Sequence, residues 1–288
     1  MNLYDSSILK LYALTPVHVG SGSSVGIVDL PIMRERTTNY PVIPSSGMKG
    51  AMRAHFDRYK DTKIAGKEQI AQFGKLTEQI FGTSEGDGGY AGSLSVSDAK
   101  LLAFPMRSNH APFVHITCPT ILKRFSKDLK ITNHSLKVEE LVIGENKAIC
   151  VKGDLSGKVL LEDYVVEATN QKYNFGSFFE DLDTLLIVSD SVFDYAVQCT
   201  QITAQIKIDQ ETGTTANGSL RYQEELPADS LMYSLVFWGD SHGAVELKNK
   251  TIKDYVKDKV VNDIIQIGGD STCGRGFFEL KWMEAQNG

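Results

Sequence analysis

TPVHVGSGSSVGIVDLPIMRERTTNYPVIPSSGMKGAMR, residues 15–53, joins a strand-like run to a helix-like one. It holds Gly20, Gly22 and Gly26, the single aspartate Asp29, and then Arg34, Arg36, Lys49 and Arg53. Glycine lets a backbone approach another backbone, or a phosphate, with no side chain between. Just before it, residues 8–14, ILKLYAL, alternate like a half-buried strand. At its end, Met48, Ala51, Met52, Phe56 and Tyr59 recur at helical spacing, and Ser45 or Ser46 is the expected N-cap. The free N–H groups of Ser46 and Gly47 at that helix start favour an anion, and Lys49 and Arg53 share a face. The bland reading of the same residues is a capped helix with solvated cations. Asp29 reads as a turn residue or as an isolated reactive carboxylate, and His18 as a packed histidine or a base.

Outward from this stretch, the pattern predicts a second helix over 67–81, with Ile70, Phe73, Thr77 and Ile80 inward and Gly82 ending it. SLSVSDAKLLAF and PFVHIT read as strands. About 120–185 is polar and mixed and reads as an insertion, with TLLIVS as a strand at its end. Residues 202–224 read as a long hairpin around the tip QETGTTANGSL. LMYSLVFW is a buried strand, and 251–265 a helix with Ile252, Tyr255, Val256, Val260 and Ile264 on one face. A second glycine loop, IGGDSTCGRG, leads into a last strand, FFELKW. The order β–α–β–β, insertion, β–α–β predicts an α+β chain, one domain over 1–288, with a ferredoxin-like (RRM-like) core. Gly269 and Gly274 have P-loop spacing, but Arg275 and Gly276 stand where Lys and Ser/Thr are required. This excludes a P-loop nucleotidase and leaves either a loop that lies flat against a ligand or a plain connection.

The chain has 288 residues, 42% hydrophobic, enough for a sizeable core. It has no run of 18 apolar residues, so no membrane-spanning helix is expected. MNLYDSSILKLYAL lacks a basic leader region and reads as a first strand, making the cytoplasm the default location. Cys118, Cys150, Cys199 and Cys273 form no CxxC pair, which predicts reduced structural thiols. Net charge is −6, unlike a nonspecific nucleic-acid coat protein. It is uneven, however: residues 34–63 carry a local +4, and residues 123–130, KRFSKDLK, a local +3. HExxH, DxDxD and a dense carboxylate cluster near Asp29 are missing from the sequence.

The blocks TPVHVGSG, GIVDLPIMRE, PVIPSSGMKGAMR, AGSLSVSDAKLLAFPMRS, HITCPTIL, GSLRYQEELPADSLMYS and IGGDSTCGRGFF resemble the RAMP superfamily of CRISPR proteins. Among these, they are most similar to the backbone subunit of type III-B (Cmr) effector complexes. The resemblance implies a protruding β-hairpin thumb on the ferredoxin-like core. It implies copies stacked in a helical filament along a CRISPR RNA, beside other effector subunits, with complementary target RNA cut at regular intervals in antiviral defence. It makes Asp29 the catalytic carboxylate and a possible ligand of a divalent Mg or Mn ion, with His18, Glu224 and Glu225 as helpers. It makes Ser46, Gly47, Lys49 and Arg53 guide contacts, together with the loop of Gly268, Gly269, Gly274, Arg275 and Gly276. Arg34 and Arg36 become phosphate contacts. Such contacts go to the backbone, because the guide sequence varies. The alternative is a noncatalytic RNA-binding subunit of a type III complex.

Overall fold

The computed structural model describes residues 5–63, 67–83, 89–136, 141–242 and 247–283, without the side chains of 61–71 and 73. In chain order the elements are β1 (Asp5–Ala13), β2 (Val42–Ile43), α1 (Ser45–Lys63), α2 (Lys67–Phe81), β3 (Leu94–Val96), β4 (Ala99–Met106), β5 (Val114–Thr117), α3 (Pro119–Leu129), β6 (Lys147–Lys152), β7 (Gly157–Leu161), β8 (Tyr164–Asn170), β9 (Leu185–Val188), α4 (Asp190–Ala196), β10 (Gln201–Gln205), β11 (Arg221–Glu225), β12 (Leu231–Trp238), α5 (Asn249–Tyr255), β13 (Ile264–Gln266) and β14 (Phe277–Met283). Twelve strands form one mixed sheet in the order β13-β14-β1-β12-β4-β5-β9-β6-β8-β7, with β2 added to β4 and β3 to β12. Its middle, β14-β1-β12-β4, is antiparallel throughout.

Residues paired across strands share a face, and this sorts the layers. Asp5, Ser7, Leu9 and Leu11 lie opposite Trp238, Val236, Ser234 and Met232. On that face Lys253 of α5 donates to Asp5 at 2.9 Å, and His55 of α1 bonds the Val260 carbonyl at 2.8 Å. The other face carries Lys10, Tyr233 and Lys100, which are register neighbours. There Asp128 of α3 accepts from Tyr233 at 2.8 Å and from Lys100 at 2.7 Å, while Lys10 ion-pairs with Asp181. Strand β1 was expected to be half-buried. Ile8, Leu9, Lys10 and Leu11 are all buried, because helices cover both faces and Lys10 brings its own counter-ion.

Helix α1 buries Met48, Met52 and Phe56, the expected stripe. Its cap differs from the expectation. Ser45 is already helical, and its N–H is taken by the Asp98 carboxylate at 2.7 Å, so a distant side chain replaces a local serine cap. Helix α2 buries Thr77 and Ile80 and stops at Gly82, whose φ of 91° favours glycine. The expected inward Ile70 and Phe73 lie outside the described side chains. The helix expected over 251–265 is shorter. It passes into a π-helical turn at Val256–Val260, and Ile264 starts β13, exposed. Residues 120–185 carry α3 and a three-strand extension of the sheet; β7 and β8 alternate, burying Val159, Leu161, Val166 and Ala168 and exposing Leu160 and Val165. Strands β10 and β11 form a separate two-stranded ribbon, Gln201 opposite Glu225 and Gln205 opposite Arg221.

Candidate active site and nucleic-acid interface

The glycine loop after β1 returns along the free edge of β11. Leu30 bridges Gln223 in parallel, Glu224 N–H donates to the Leu30 carbonyl at 2.9 Å, and Val17 bridges Leu226. Strand β11 therefore has β10 on one edge and the loop on the other. Asp29 is docked by both backbone and side chain. Its N–H donates to the Tyr222 carbonyl at 3.1 Å, and its Oδ2 accepts the Tyr222 N–H at 2.7 Å. Oδ1 has no partner among the described residues.

His18 is held two residues along the same strand, about 7 Å by strand rise. Its Nδ1 lies 2.8 Å from the Glu224 carbonyl. A carbonyl only accepts, so Nδ1 carries the proton and Nε2 of the neutral ring keeps its lone pair. A Cβ on Gly20 would sit 2.8 Å from that Nε2, so glycine there leaves it uncovered. The second glycine loop packs on the His18 backbone: Gly269 N–H donates to the His18 carbonyl at 2.8 Å. A Cβ on Gly268 would stand 2.5 Å from that carbonyl oxygen, and one on Gly276 2.1 Å from the Ile267 oxygen. Both glycines have positive φ, 96° and 77°. Gly274 shares a positive φ, but open space surrounds it.

Glu224 and Glu225 sit behind this surface, fully engaged. Glu224 accepts from Arg34 Nη2 at 2.6 Å, Thr200 Oγ1 at 2.8 Å and the Ile32 N–H at 2.9 Å. Burial alone would raise its pKa; the guanidinium and the two neutral donors outweigh that and hold it below the usual carboxylate range. Glu225 is wholly buried and accepts from Arg275 Nε at 2.9 Å and Thr203 at 3.2 Å. Arg34 is spent on Glu224 and on the carbonyls of Asn39 and Val197. Arg275 joins β11 to the second glycine loop, which Gln223 also ties through Asp270 at 2.6 Å. Arg36 is exposed and makes no hydrogen bond or ion pair among the described residues.

On α1, Ser46 and Gly47 are exposed. Lys49 is half-buried without a counter-ion among the described residues; burial, and then Arg53 beside it, lower its pKa. Arg53 donates to the Gly82 carbonyl at 3.0 Å. Sequence reasoning did not single out Tyr222, Thr200, Asp98 or Asp270, the residues that fasten these loops. The signal for Tyr222 was its place two residues before Glu224; the others sit far from their partners in the chain. For a cation, the described residues hold no group of three or more His, Cys, Asp or Glu. The chain offers Asp29 Oδ1 singly, so any cation held there would be a hydrated one.

Residues 10–279 match the RAMP superfamily, and the chain belongs to that superfamily. The CRISPR system Cmr endoribonuclease Cmr4 of Pyrococcus furiosus is 35% identical to it over 97% of this chain and 96% of that protein. A chain in the type III-B Cmr-beta structure bound to cognate target RNA superposes with a TM-score of 0.77 at 24% identity, covering 97% of this chain and 98% of that one. Oligomeric Cmr4 from Pyrococcus furiosus superposes with a TM-score of 0.69 at 27% identity, covering 98% of this chain and 100% of that one.

Proposed function

We propose that this chain is the guide-binding backbone subunit of a type III-B CRISPR effector complex and cuts RNA paired to the guide. Asp29 carries the reading: one carboxylate oxygen is tied to the hairpin strand and the other is open, in a chain whose near-full-length relative is named an endoribonuclease. The strands β14-β1-β12-β4 with α1 and α5 serve as a ferredoxin-like core of a single domain, and β10–β11 as its thumb. Lys49 and Arg53, the exposed N–H groups of Ser46 and Gly47, and the loop from Gly268 to Gly276 hold the guide backbone. Copies repeat along the guide as a helical filament in the cytoplasm, joined by other effector subunits.

In the cutting step, the 2′-hydroxyl of the target attacks the adjacent phosphorus. A 2′-O–P bond forms and the P–O5′ bond breaks, leaving a 2′,3′-cyclic phosphate and a 5′-hydroxyl. Asp29 Oδ1 accepts the 2′-proton, water protonates the departing oxygen, and His18 Nε2 accepts a hydrogen bond alongside. A hydrated Mg²⁺ or Mn²⁺ at Asp29 would supply positive charge to the phosphate. The thumb holds a nucleotide out of the stack so that the 2′-oxygen lies in line, and alignment supplies much of the acceleration.

The test compares Asp29→Asn with Asp29→Ala in an assembly with guide RNA and labelled complementary RNA. Asparagine keeps an acceptor for the Tyr222 N–H and loses the charge. It should bind both RNAs and melt like wild type, while cutting falls by about 100-fold or more. Alanine should cut as poorly and also lose about 1 kcal/mol of stability. Wild-type cutting by Asp29→Asn would make Asp29 a clamp alone, the role its hydrogen bond to Tyr222 already gives it, and absence of cutting by the wild-type assembly would make the chain a noncatalytic subunit.

A further inference from the structure

The cations of KRFSKDLK are absorbed by neither the guide contacts nor the cutting site. Helix α3 buries Ile121, Leu122, Phe125 and Leu129 against the sheet. Lys123 and Lys127, with Lys130 in the 3-10 turn that continues the helix, are exposed. Their spacing of four and three puts them on one face, spanning about 10 Å of axis. None has a partner among the described residues. The acids that would screen them are turned away: Asp128 is consumed by Lys100 and Tyr233, and Glu35 by a bidentate pair with Arg124 at 2.6 and 2.9 Å. On a chain of net charge −6, this leaves a stripe that is purely cationic among the described residues.

Its position separates it from the guide track. Helix α3 packs on the sheet face of Lys10 and Tyr233, whereas α1, with Lys49 and Arg53, packs on the face of Asp5 and Leu9. The stripe nevertheless meets the segment that follows the Asp29 loop. Glu35, paired to Arg124 between Lys123 and Phe125, is six residues beyond Asp29 and is followed by the exposed Arg36.

We propose that Lys123, Lys127 and Lys130, continued by Arg36, form a second phosphate track that carries single-stranded RNA to or from Asp29. This rests on the cutting role proposed for Asp29. The three lysines stand about 5 Å of axis apart from one to the next, so each can meet a separate phosphate of one strand. Lysines without a side-chain partner among the described residues read charge and not bases, as a site that meets any target sequence requires.

The test uses the full-length protein and labelled oligouridylate, with affinity measured by fluorescence anisotropy from 50 to 200 mM salt. The triple variant Lys123→Ala/Lys127→Ala/Lys130→Ala, checked by Tm, should flatten the slope of log affinity against log salt by about 2, at about 0.7 per contact. Lys49→Ala/Arg53→Ala should flatten it by about 1.4, and the combined variant by the sum, since distant sites add. An unchanged slope in the triple variant, with the α1 variant flattened, overturns the stripe and leaves the guide track standing. An unchanged slope with a shift to monomers in sedimentation overturns it in favour of a contact between copies of the chain. Failure of the wild type to bind RNA overturns the functional reading itself, and the stripe with it.

Discussion

Asp29 and Glu224 show how two carboxylates of one site divide its work. Asp29 is half clamp and half open: one oxygen accepts the Tyr222 N–H, and the other is left for the reactive role proposed above, so the two readings that the sequence poses as alternatives are compatible. Glu224, a helper in the family resemblance, has both oxygens occupied by protein donors. A saturated carboxylate is a poor proton acceptor but a strong fastener, because donors are lost if it is neutralised. Its pKa lies below the ordinary 4.5 in the folded chain. The stabilisation is therefore fully present above pH 4.5 and is lost as pH falls through the depressed folded value. Glu224→Gln should lower stability at neutral pH by about 1–3 kcal/mol. It should also flatten the acid limb of Tm against pH below 4.5, which a pH series by differential scanning calorimetry measures. An acid limb as steep as that of wild type would remove Glu224 from this account.

The hairpin is built at the scale of the element. Its root is a three-stranded seam of β10, β11 and the Asp29 loop, whereas its tip, among the described residues, hydrogen-bonds only to itself. Asp209 Oδ1 accepts the Glu211 and Thr212 N–H groups, and Ser219 and Lys207 close the far end. Ile202, Ile206, Ile208, Leu220 and Tyr222 are exposed along it, apolar surface held away from the core. Replacing residues 210–219 with a short Gly-Ser turn should leave stability within about 0.5 kcal/mol, since exposed tips tolerate change. Target cutting should fall sharply with guide binding intact. Regular cutting at the wild-type rate would mean the hairpin is not the thumb. Helix α5 teaches the opposite lesson about elements. Apolar periodicity continued to Ile264, but the π-helical turn ended the helix early and gave Ile264 to the sheet edge, a choice made by pairing with β14.

For the whole molecule, Lys49 exposes a conflict between stability and use. A half-buried ammonium beside Arg53 costs the free chain desolvation and repulsion. In the proposed guide site, an RNA phosphate would supply the missing counter-charge. Lys49→Met keeps the aliphatic stem and the helix propensity. The free protein should melt at the same or a higher temperature, while guide affinity falls and its salt slope flattens by about 0.7. Opposite signs in the two measurements distinguish an anion site from a solvated face; a variant that melts lower and binds RNA with the wild-type slope would exclude the site.

What the residues settled by themselves was local: the apolar stripe of α1, the span of α2 and its glycine stop, the paired strands of the hairpin, and the glycine loops around Asp29. These follow from periodicity and backbone freedom over a few residues, which any short window contains. The tertiary structure alone decided which cations are spent and which are open, since Arg34 and Arg36 look alike in sequence. It also decided that Asp98 caps α1 and that the insertion extends the sheet. The partners in those decisions lie far apart in the chain: Arg34 and Glu224 are 190 residues apart, Asp29 and Tyr222 193. A burial-driven fold brings such groups together, and only then does each carboxylate find its donors or keep an oxygen free.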